Sequence, residues 1–460
     1  MDILYHNIKL EPDTEYFIYV GEIKAHGLNE FLREALEKIH GKRIDFIAIV
    51  PDVLERYPNG NLLAINPEAR RLSGATGKKV SCRLPARSFA TIVSHHPAVI
   101  ELLETLTKRQ EKVWVSLFHS LPEMTLDRFP GVEILAPDSR VSDRWNNKLF
   151  MYKNLDGHVP LPPFTFCGSR EELISATRKL WDTWRDGIFL SLEYSAAGIF
   201  SFISHDEKEL LEKLGDWCPP YLISRFIPHP YDPTVLGVVA NEREVYIGGI
   251  ADQRMENINK FRGSVAPSIL PDEIQETLKT LTLKVGRQMG KHGYRGIFGC
   301  DYIVTEEGEI FFVEVNARKQ GTTMEMSCHL ELMLGENAPS LVELEYWAIT
   351  RHTFPPNLRQ QDVGENGDIH WGTHNYKVEE DVFVHTNLDL PERERDVFRK
   401  VANNGTRAHH IVVEHIGKDF LVKSGAFLGR VIAVANSRQK VMERLKKGET
   451  TLRKTFRKVI

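Results

Sequence analysis

Apolar and polar positions follow one another along this chain in two rhythms. Short, largely apolar runs at Phe17-Ile18-Tyr19-Val20, Ile44 to Val50 and Val113-Trp114-Val115 predict buried strands. Between them, Glu30 to Ile39 and Val99 to Lys108 carry the period of a helix. Strands alternating with helices predict a parallel sheet covered on both faces, in a unit that closes near Pro137. A polar, helix-like segment from Ser139 to Leu155 follows, then the breaker-rich Val159-Pro160-Leu161-Pro162-Pro163. Two Ser-x-x-Glu boxes, Ser169-Arg170-Glu171-Glu172 and Ser204-His205-Asp206-Glu207, come after the strand-like Phe164-Thr165-Phe166 and Ile199 to Ile203. In each box the Ser oxygen is expected to cap a helix while the Glu bonds back. Two strand–helix units so close together predict a small α+β subdomain.

Farther on, Tyr221 to Ile227, Val235 to Ala240 and Val245 to Ile250 are strand-like. Pro271-Asp272 opens a helix whose apolar face is Ile274, Leu278, Leu281, Val285 and Met289, ending at Gly293. From about residue 350 a polar stretch with Gly and Asn runs through Asp368. Strands are expected again at Val382 to Thr386, His410 to Val413 and Gly429 to Ala435, then a basic helix from Arg438 to Lys458. A solvated face explains that last helix better than contact with nucleic acid.

Composition narrows the class. The 460 residues suit two to four domains, and 42% hydrophobic with 27% charged residues excludes wholesale disorder, collagen and coiled coil. A formal net charge of −4 argues against a nucleic-acid partner held by phosphate neutralisation. The five cysteines, Cys82, Cys167, Cys218, Cys300 and Cys328, form no Cys-x-x-Cys pair and fit a reducing compartment. With no apolar leader at the N-terminus and no run of 18 apolar residues, the expectation is a soluble, cytoplasmic protein without a membrane span. His370 with His374, and His409-His410 with His415, lack the spacing of a zinc site and are read as packing or solvent-facing residues.

The chemistry is concentrated between Gly299 and Arg318. Two apolar runs flank Glu307-Gly308, which predicts a two-residue hairpin turn that pairs Asp301 with Glu314. Strand alternation then sets Asn316 and Arg318 on the same face, together with the apolar Ile310 and Phe312. Two opposed carboxylates and an amide oxygen suit Mg²⁺, and a guanidinium beside them suits a phosphoryl or carboxylate oxygen. The plain alternative is an ordinary exposed hairpin face.

Asp in one strand and Glu-x-Asn-x-Arg in the next, after a Gly-containing lead-in, resembles the ATP-grasp superfamily, and the context agrees over roughly residues 1–345. The resemblance implies an α/β fold in three parts. An N-terminal pre-ATP-grasp α/β domain would span 1–138, an ATP-grasp nucleotide-binding domain 139–348 with a lid at about 160–225, and a C-terminal α+β domain 349–460. It implies that Asp301, Glu314 and Asn316 bind Mg²⁺ (or Mn²⁺) with ATP, and that Arg318 is the catalytic residue touching phosphate or acyl phosphate.

Asp143-Arg144-Trp145-Asn146-Asn147-Lys148 resembles the segment whose Lys contacts ATP phosphates, which makes Lys148 a candidate; the alternative is a solvated helix Lys. The run Leu190 to Ile199 falls where the family has a second ATP-binding Lys and a glycine-rich lid. This sequence has no Lys there and one Gly, so Ser195 and the Gly198 N–H are left to cradle phosphate. Leu222-Ile223-Ser224-Arg225-Phe226-Ile227 resembles the adenine hinge, giving Ile223, Ser224 and Phe226 as nucleotide contacts. Asp232 matches a ribose-binding carboxylate, or else forms a turn in its Tyr-Asp-Pro setting.

Ile250-Ala251-Asp252-Gln253-Arg254, with Gly263 and Pro267, is similar to ATP-grasp peptide ligases of the pheganomycin type. Gln253 and Arg254 would then reach an acyl-phosphate intermediate; otherwise they form a polar loop. Gly425 to Ala435 followed by a helix resembles the C-terminal domain of biotin-carboxylase-like members. The resemblance implies an ATP-dependent ligase that joins a small carboxylate to an amine, such as amino acids or short peptides. It also allows a carboxylase, another carboxylate ligase, or a nucleotide-binding regulator with little turnover, and a homodimer.

Overall fold

The protein is described from a computed structural model. It covers residues 2–459 apart from 53–59, 197–198, 257–259, 336, 357, 361–367, 390–391 and 404–407.

The first unit contains β1 (Ile3–Asn7), β2 (Glu15–Val20), β3 (Ile44–Val50), β4 (Leu62–Ile65), β5 (Lys79–Ser81), β6 (Val113–Leu117) and β7 (Val132–Leu135). All but β5 form one sheet in the order β1-β4-β3-β2-β6-β7, parallel except at β1. Its inner strands β2, β3, β4 and β6 are largely apolar because both faces are covered. Phe17 and Tyr19 pack with Phe46, Leu28 and Leu32 on one side, while Ile18 and Val20 meet Ile47, Val99 and Leu103 on the other.

A second sheet, in the order β10-β9-β11-β8, is built from β8 (Phe164–Cys167), β9 (Ile188–Ala196), β10 (Ile199–Ser204) and β11 (Tyr221–Arg225). Ser169 caps its first helix by accepting from the Glu172 N–H, and Glu172 Oε2 accepts from the Gly168 N–H. The second helix differs from expectation. Its cap is Asp206, which accepts from the Glu209 N–H, while Ser204 Oγ donates to the Asp206 carbonyl. The Asp-x-x-Glu box two residues downstream outcompetes the Ser box because Ser204 still belongs to β10.

The third sheet has eight strands, ordered β16-β15-β12-β13-β14-β17-β21-β19 and antiparallel throughout. They are β12 (Pro233–Val239), β13 (Val245–Glu256), β14 (Lys260–Ala266), β15 (Gly296–Val304), β16 (Ile310–Asn316), β17 (His370–Lys377), β19 (Ala408–His415) and β21 (Phe427–Ala435). The helix Asp272–Lys291 lays Leu278, Leu281, Val285 and Met289 on one face, against Val235, Val239, Phe298 and Tyr302. The opposite face packs Leu236, Val238 and Ile297 with Leu341 and Leu344, in a core shared with the first unit.

The tail therefore extends the central sheet. Its β17, His-Trp-Gly-Thr-His-Asn-Tyr-Lys, is too polar to have been read as a strand, yet Trp371 is fully buried and Gly372 pairs with Val265. The basic C-terminal run is also not one helix. It is helical over Arg438–Arg453, and its end becomes β22 (Phe456–Lys458). That strand completes a small sheet, β22-β18-β20-β5, with β18 (Val382–Val384), β20 (Phe420–Val422) and β5 from the first unit.

Candidate functional site

The β15–β16 hairpin carries the site, and its register differs instructively from the one expected. Asp301 does pair with Glu314. The turn, however, is a five-residue loop, Thr305–Glu309, closed by Thr305 N–H to Glu309 O at 3.0 Å. Next to it Tyr302 pairs with Phe312 and Val304 with Ile310, one residue out of step, and an extra residue at Val313 restores the Asp301–Glu314 pairing. This bulge changes which side chains share a face. Phe312 and Ile310 lie on the helix-covered side with Tyr302 and Val304, not beside Glu314 as expected. Tyr302 Oη and Thr282 Oγ1, 2.8 Å apart, anchor that side, leaving Asp301 and Glu314 together on the other.

On the polar side two sets of contacts lie on the paired strands. Lys148 Nζ lies 2.7 Å from Glu314 Oε2. Asn316 Nδ2 donates to Asp301 Oδ2 at 2.9 Å, and Arg318 Nη2 donates to Asn316 Oδ1 at 2.8 Å. Asp301 Oδ1 is buried and without a hydrogen-bond partner. Burial, reinforced by the Glu314 charge, raises the Asp301 carboxyl pKa, and bonds from Thr234 and Asn316 only partly offset this. A buried carboxylate with an orphaned oxygen beside a second carboxylate is short of positive charge. These hard oxygen donors fit Mg²⁺ or Mn²⁺.

Lys148 is not a solvated helix lysine. It is buried at the first position of the helix Lys148–Leu155, whose N-cap Asn147 accepts from the Leu149 and Phe150 N–H groups. Asn147 Nδ2 also donates to Glu193 Oε2 at 2.9 Å, tying β9 to this helix. Ser195, two residues along β9, has a buried hydroxyl without a partner. Gly198 lies outside the described residues.

The hinge candidates divide. Ile223 and Ser224 sit in the middle of β11, paired with Leu190 and Phe189 of β9 on one side and with Thr165 and Phe164 of β8 on the other. Their backbone is therefore engaged within the sheet. The next two N–H groups are also taken, Arg225 by Pro163 O and Phe226 by Gly187 O. A base docked here would meet the chain beyond the Phe226 N–H. Asp232 Oδ1 lies 3.0 Å from His229 Nε2. Burial disfavours the imidazolium, but the bonds to Asp232 and the Ile227 carbonyl outweigh it and raise the His229 pKa.

Gln253 and Arg254 are not in a polar loop. Both lie within β13, where Arg254 Nη1 donates to Thr373 O of β17 at 3.2 Å. Their neighbour Asp252 accepts from Ser268 Oγ at 2.6 Å and from Ile269 N–H at 3.0 Å, and pairs with Arg438 at 3.0 Å.

Sequence reasoning missed Lys319 and Gln320. Lys319 is buried, pairs with Glu345 and donates to Leu117 O at 2.8 Å. The Gln320 side chain lies over Gly299, where a Cβ would come within 2.2 Å of its amide. The run Asn316-Ala317-Arg318-Lys319-Gln320, polar except at Ala317 and entering a buried helix, was the available signal.

Residues 145–322 match the family model of the ATP-grasp domain. This stretch is an ATP-grasp domain. It takes in Lys148, the β8–β11 sheet, the hinge and the whole hairpin. A butirosin acyl-carrier protein L-glutamate ligase of Niallia circulans is 23% identical over 199 residues, covering 42% of this chain and 47% of that protein. The chain thus spans about half the length of that relative. A D-alanine–D-alanine ligase of Pelotomaculum thermopropionicum is 23% identical over 309 residues, 62% of this chain and 94% of that one. Among solved structures, a Campylobacter jejuni biotin carboxylase superposes with a TM-score of 0.63 at 14% identity, covering 95% of this chain and 91% of its own. The ADP complex of an N5-carboxyaminoimidazole ribonucleotide synthetase gives 0.57 at 13%, covering 96% and 98%. Like these structures, the ATP-grasp domain here is embedded in a mixed α/β chain.

Proposed function

We propose that the protein is an ATP-dependent ligase that joins a carboxylate to an amine through an acyl phosphate. The observation that carries this reading is the two sets of contacts, Lys148–Glu314 and Asp301–Asn316–Arg318, with Asp301 Oδ1 left unpartnered. The similarity to a D-alanine–D-alanine ligase and to a ligase of L-glutamate to an acyl-carrier protein supports it.

Asp301, Glu314 and the Asn316 amide would hold Mg²⁺ or Mn²⁺, whose contribution is to neutralise phosphate charge. Lys148 would exchange its contact with Glu314 for a phosphate oxygen. Arg318, fixed through Asn316, directs its remaining N–H groups at the oxygens of the transferred phosphoryl group. A substrate carboxylate oxygen attacks the γ-phosphorus, and the bond to ADP breaks. The amine nitrogen then attacks the acyl carbon, a C–N bond forms, phosphate leaves and the amine proton passes to solvent. Alignment and charge do most of this work. The β8–β11 sheet, tied to the site through Asn147 and Glu193, is the element that would cover the phosphates and exclude water. The unit 1–138 and the tail 349–460 would form the remaining walls.

Within this reading, amino acids or short peptides are the preferred substrates. A carboxylase is the second reading, favoured by the whole-chain likeness to biotin carboxylase. Incubation with ATP, Mg²⁺ and a panel of amino acids and peptides should yield ADP, phosphate and an amide by mass spectrometry. ADP formation that depends on bicarbonate would favour the carboxylase, and AMP with pyrophosphate would contradict both.

A further inference from the structure

β16 ends at Asn316, which is held by its ladder partner Gly299, whereas Arg318 lies beyond the sheet. The residue between them, Ala317, is fully buried. A buried backbone N–H and C=O need partners, and whatever supplies them fixes the course of the chain. Here both come from one helix, Ser139–Asn146. Ser142 Oγ donates to Ala317 O at 2.7 Å, and Asn146 Oδ1 accepts from the Ala317 N–H at 3.1 Å. The two side chains are four residues apart and so share one face of that helix. Asn146 is oriented in turn, since its Nδ2 donates to Ser142 O at 2.9 Å and lies 3.4 Å from His119 Nε2. The Arg318 N–H closes back on Asn316 O at 2.8 Å, a tight turn centred on the clamped residue. On the far side of Arg318, Lys319 donates to Leu117 O at 2.8 Å.

The helix that holds Ala317 is itself fixed. Trp145 is fully buried, its ring 5.4 Å from that of Phe150 and 5.5 Å from that of His292. Asp143 pairs with Arg87 of the helix Ala86–His95 in the first unit, and accepts from Tyr194 Oη of β9 at 3.1 Å. Ala317 therefore takes its place from a helix that is anchored in the core, in the first unit and in the β8–β11 sheet. The direction in which Arg318 leaves the backbone is set there, and not by the ladder that holds Asp301, Glu314 and Asn316.

We propose that Ser142 and Asn146 are positioning residues: by holding both backbone groups of Ala317 they aim the Arg318 guanidinium at the phosphoryl group in transit. This deepens the ligase reading above and rests on it for the identity of the reaction. Asp301, Glu314 and Asn316 keep their strand pairing without the clamp, so binding of the nucleotide and contact with the moving phosphoryl group separate.

The test is calorimetric titration of the full chain with Mg²⁺–ADP, with and without fluoroaluminate as a mimic of the phosphoryl group in transit, alongside ADP release with the panel of acids and amines. In the wild type, fluoroaluminate should tighten ADP binding by about tenfold or more, the worth of a charge-assisted hydrogen bond. Asn146→Ala and Ser142→Ala should lose most of that gain, as Arg318→Met does, while Mg²⁺–ADP alone binds within about twofold of the wild type. Ser142→Thr, which keeps the hydroxyl, should restore it. Ser142 is fully buried but Asn146 only half-buried, so Asn146→Ala keeps the test open if Ser142→Ala fails to fold. In turnover the alanine variants should lower kcat by about 10- to 100-fold and leave KM for ATP near the wild-type value, the signature of a misaimed group. A gain that survives in Asn146→Ala, a wild type without any gain, or a parallel loss of Mg²⁺–ADP binding in Asn146→Ala would overturn the assignment. A gain lost in Asn146→Ala, with no ADP released by the wild type from any acid and amine, would support the clamp and count against the ligase chemistry alone.

Discussion

At the scale of single residues, the site is an electrostatic problem left partly unsolved. Lys148 is the one ammonium in contact with Glu314 among the described residues, and its burial means that its loss cannot be compensated by water. Lys148→Met should weaken binding of a non-hydrolysable ATP analogue by about tenfold or more while the protein stays folded. Unchanged affinity would remove Lys148 from the site. Asp52 gives a pH-dependent prediction. Its folded pKa of about 7 lies above the usual unfolded value of about 4, so between these pH values the folded state holds the extra proton. Stability from this group is therefore complete below pH 4 and declines as pH rises through 7. Asp52→Asn should melt higher than the wild type at pH 8 and no higher at pH 4. The same difference at both pH values would contradict the assignment.

At the scale of elements, the hairpin shows what could be read in the sequence and what could not. The pairing of Asp301 with Glu314 was legible from two apolar runs around Glu307-Gly308. It came from a turn that does not exist, and the error cancelled because a bulge at Val313 added back one residue. Alternation of residue types cannot report a bulge, since Phe312 and Glu314 are equally compatible with either face in isolation. The helix Asp272–Lys291 was fully legible, because its apolar face keeps one period for twenty residues. β17 was not, since its burial comes from strands and a helix far away in the chain. Deleting Val313 would make the ladder regular and leave Phe312 and Glu314, then adjacent, on opposite faces with Glu314 still opposite Asp301. Mg²⁺-dependent nucleotide binding should therefore persist; its loss would mean that the bulge itself, beyond the pairing, sets the site. Asn147→Ala removes both a helix cap and the tie to Glu193. It should cost about 1 kcal/mol in denaturant unfolding and increase proteolytic cutting in the β8–β11 sheet.

At the scale of the molecule, one sheet runs from the β15–β16 hairpin to the tail, and its seam is β14 against β17. Gly263 makes the seam possible, because a Cβ there would fall 2.0 Å from Thr373 O. The buried pair Arg430–Glu325, with Arg430 also donating to Gly321 O at 2.6 Å, fastens the tail to the chain just beyond Arg318. Gly263→Ala should therefore destabilise by more than the 1–3 kcal/mol typical of overpacking, and expose the tail to protease first. Uniform loss of protection would show that the seam does not separate from the rest.

The proposed role of the hairpin carboxylates is to support phosphorylation of a substrate carboxylate. Hydroxylamine trapping tests it most directly: the protein is incubated with Mg²⁺–ATP, candidate acids and hydroxylamine, and hydroxamate and nucleotide products are quantified. Hydroxamate is expected in equal amount to ADP, falling by about 100-fold or more in Glu314→Ala. Hydroxamate accompanied by AMP, or ADP release that Glu314→Ala leaves intact, would contradict it.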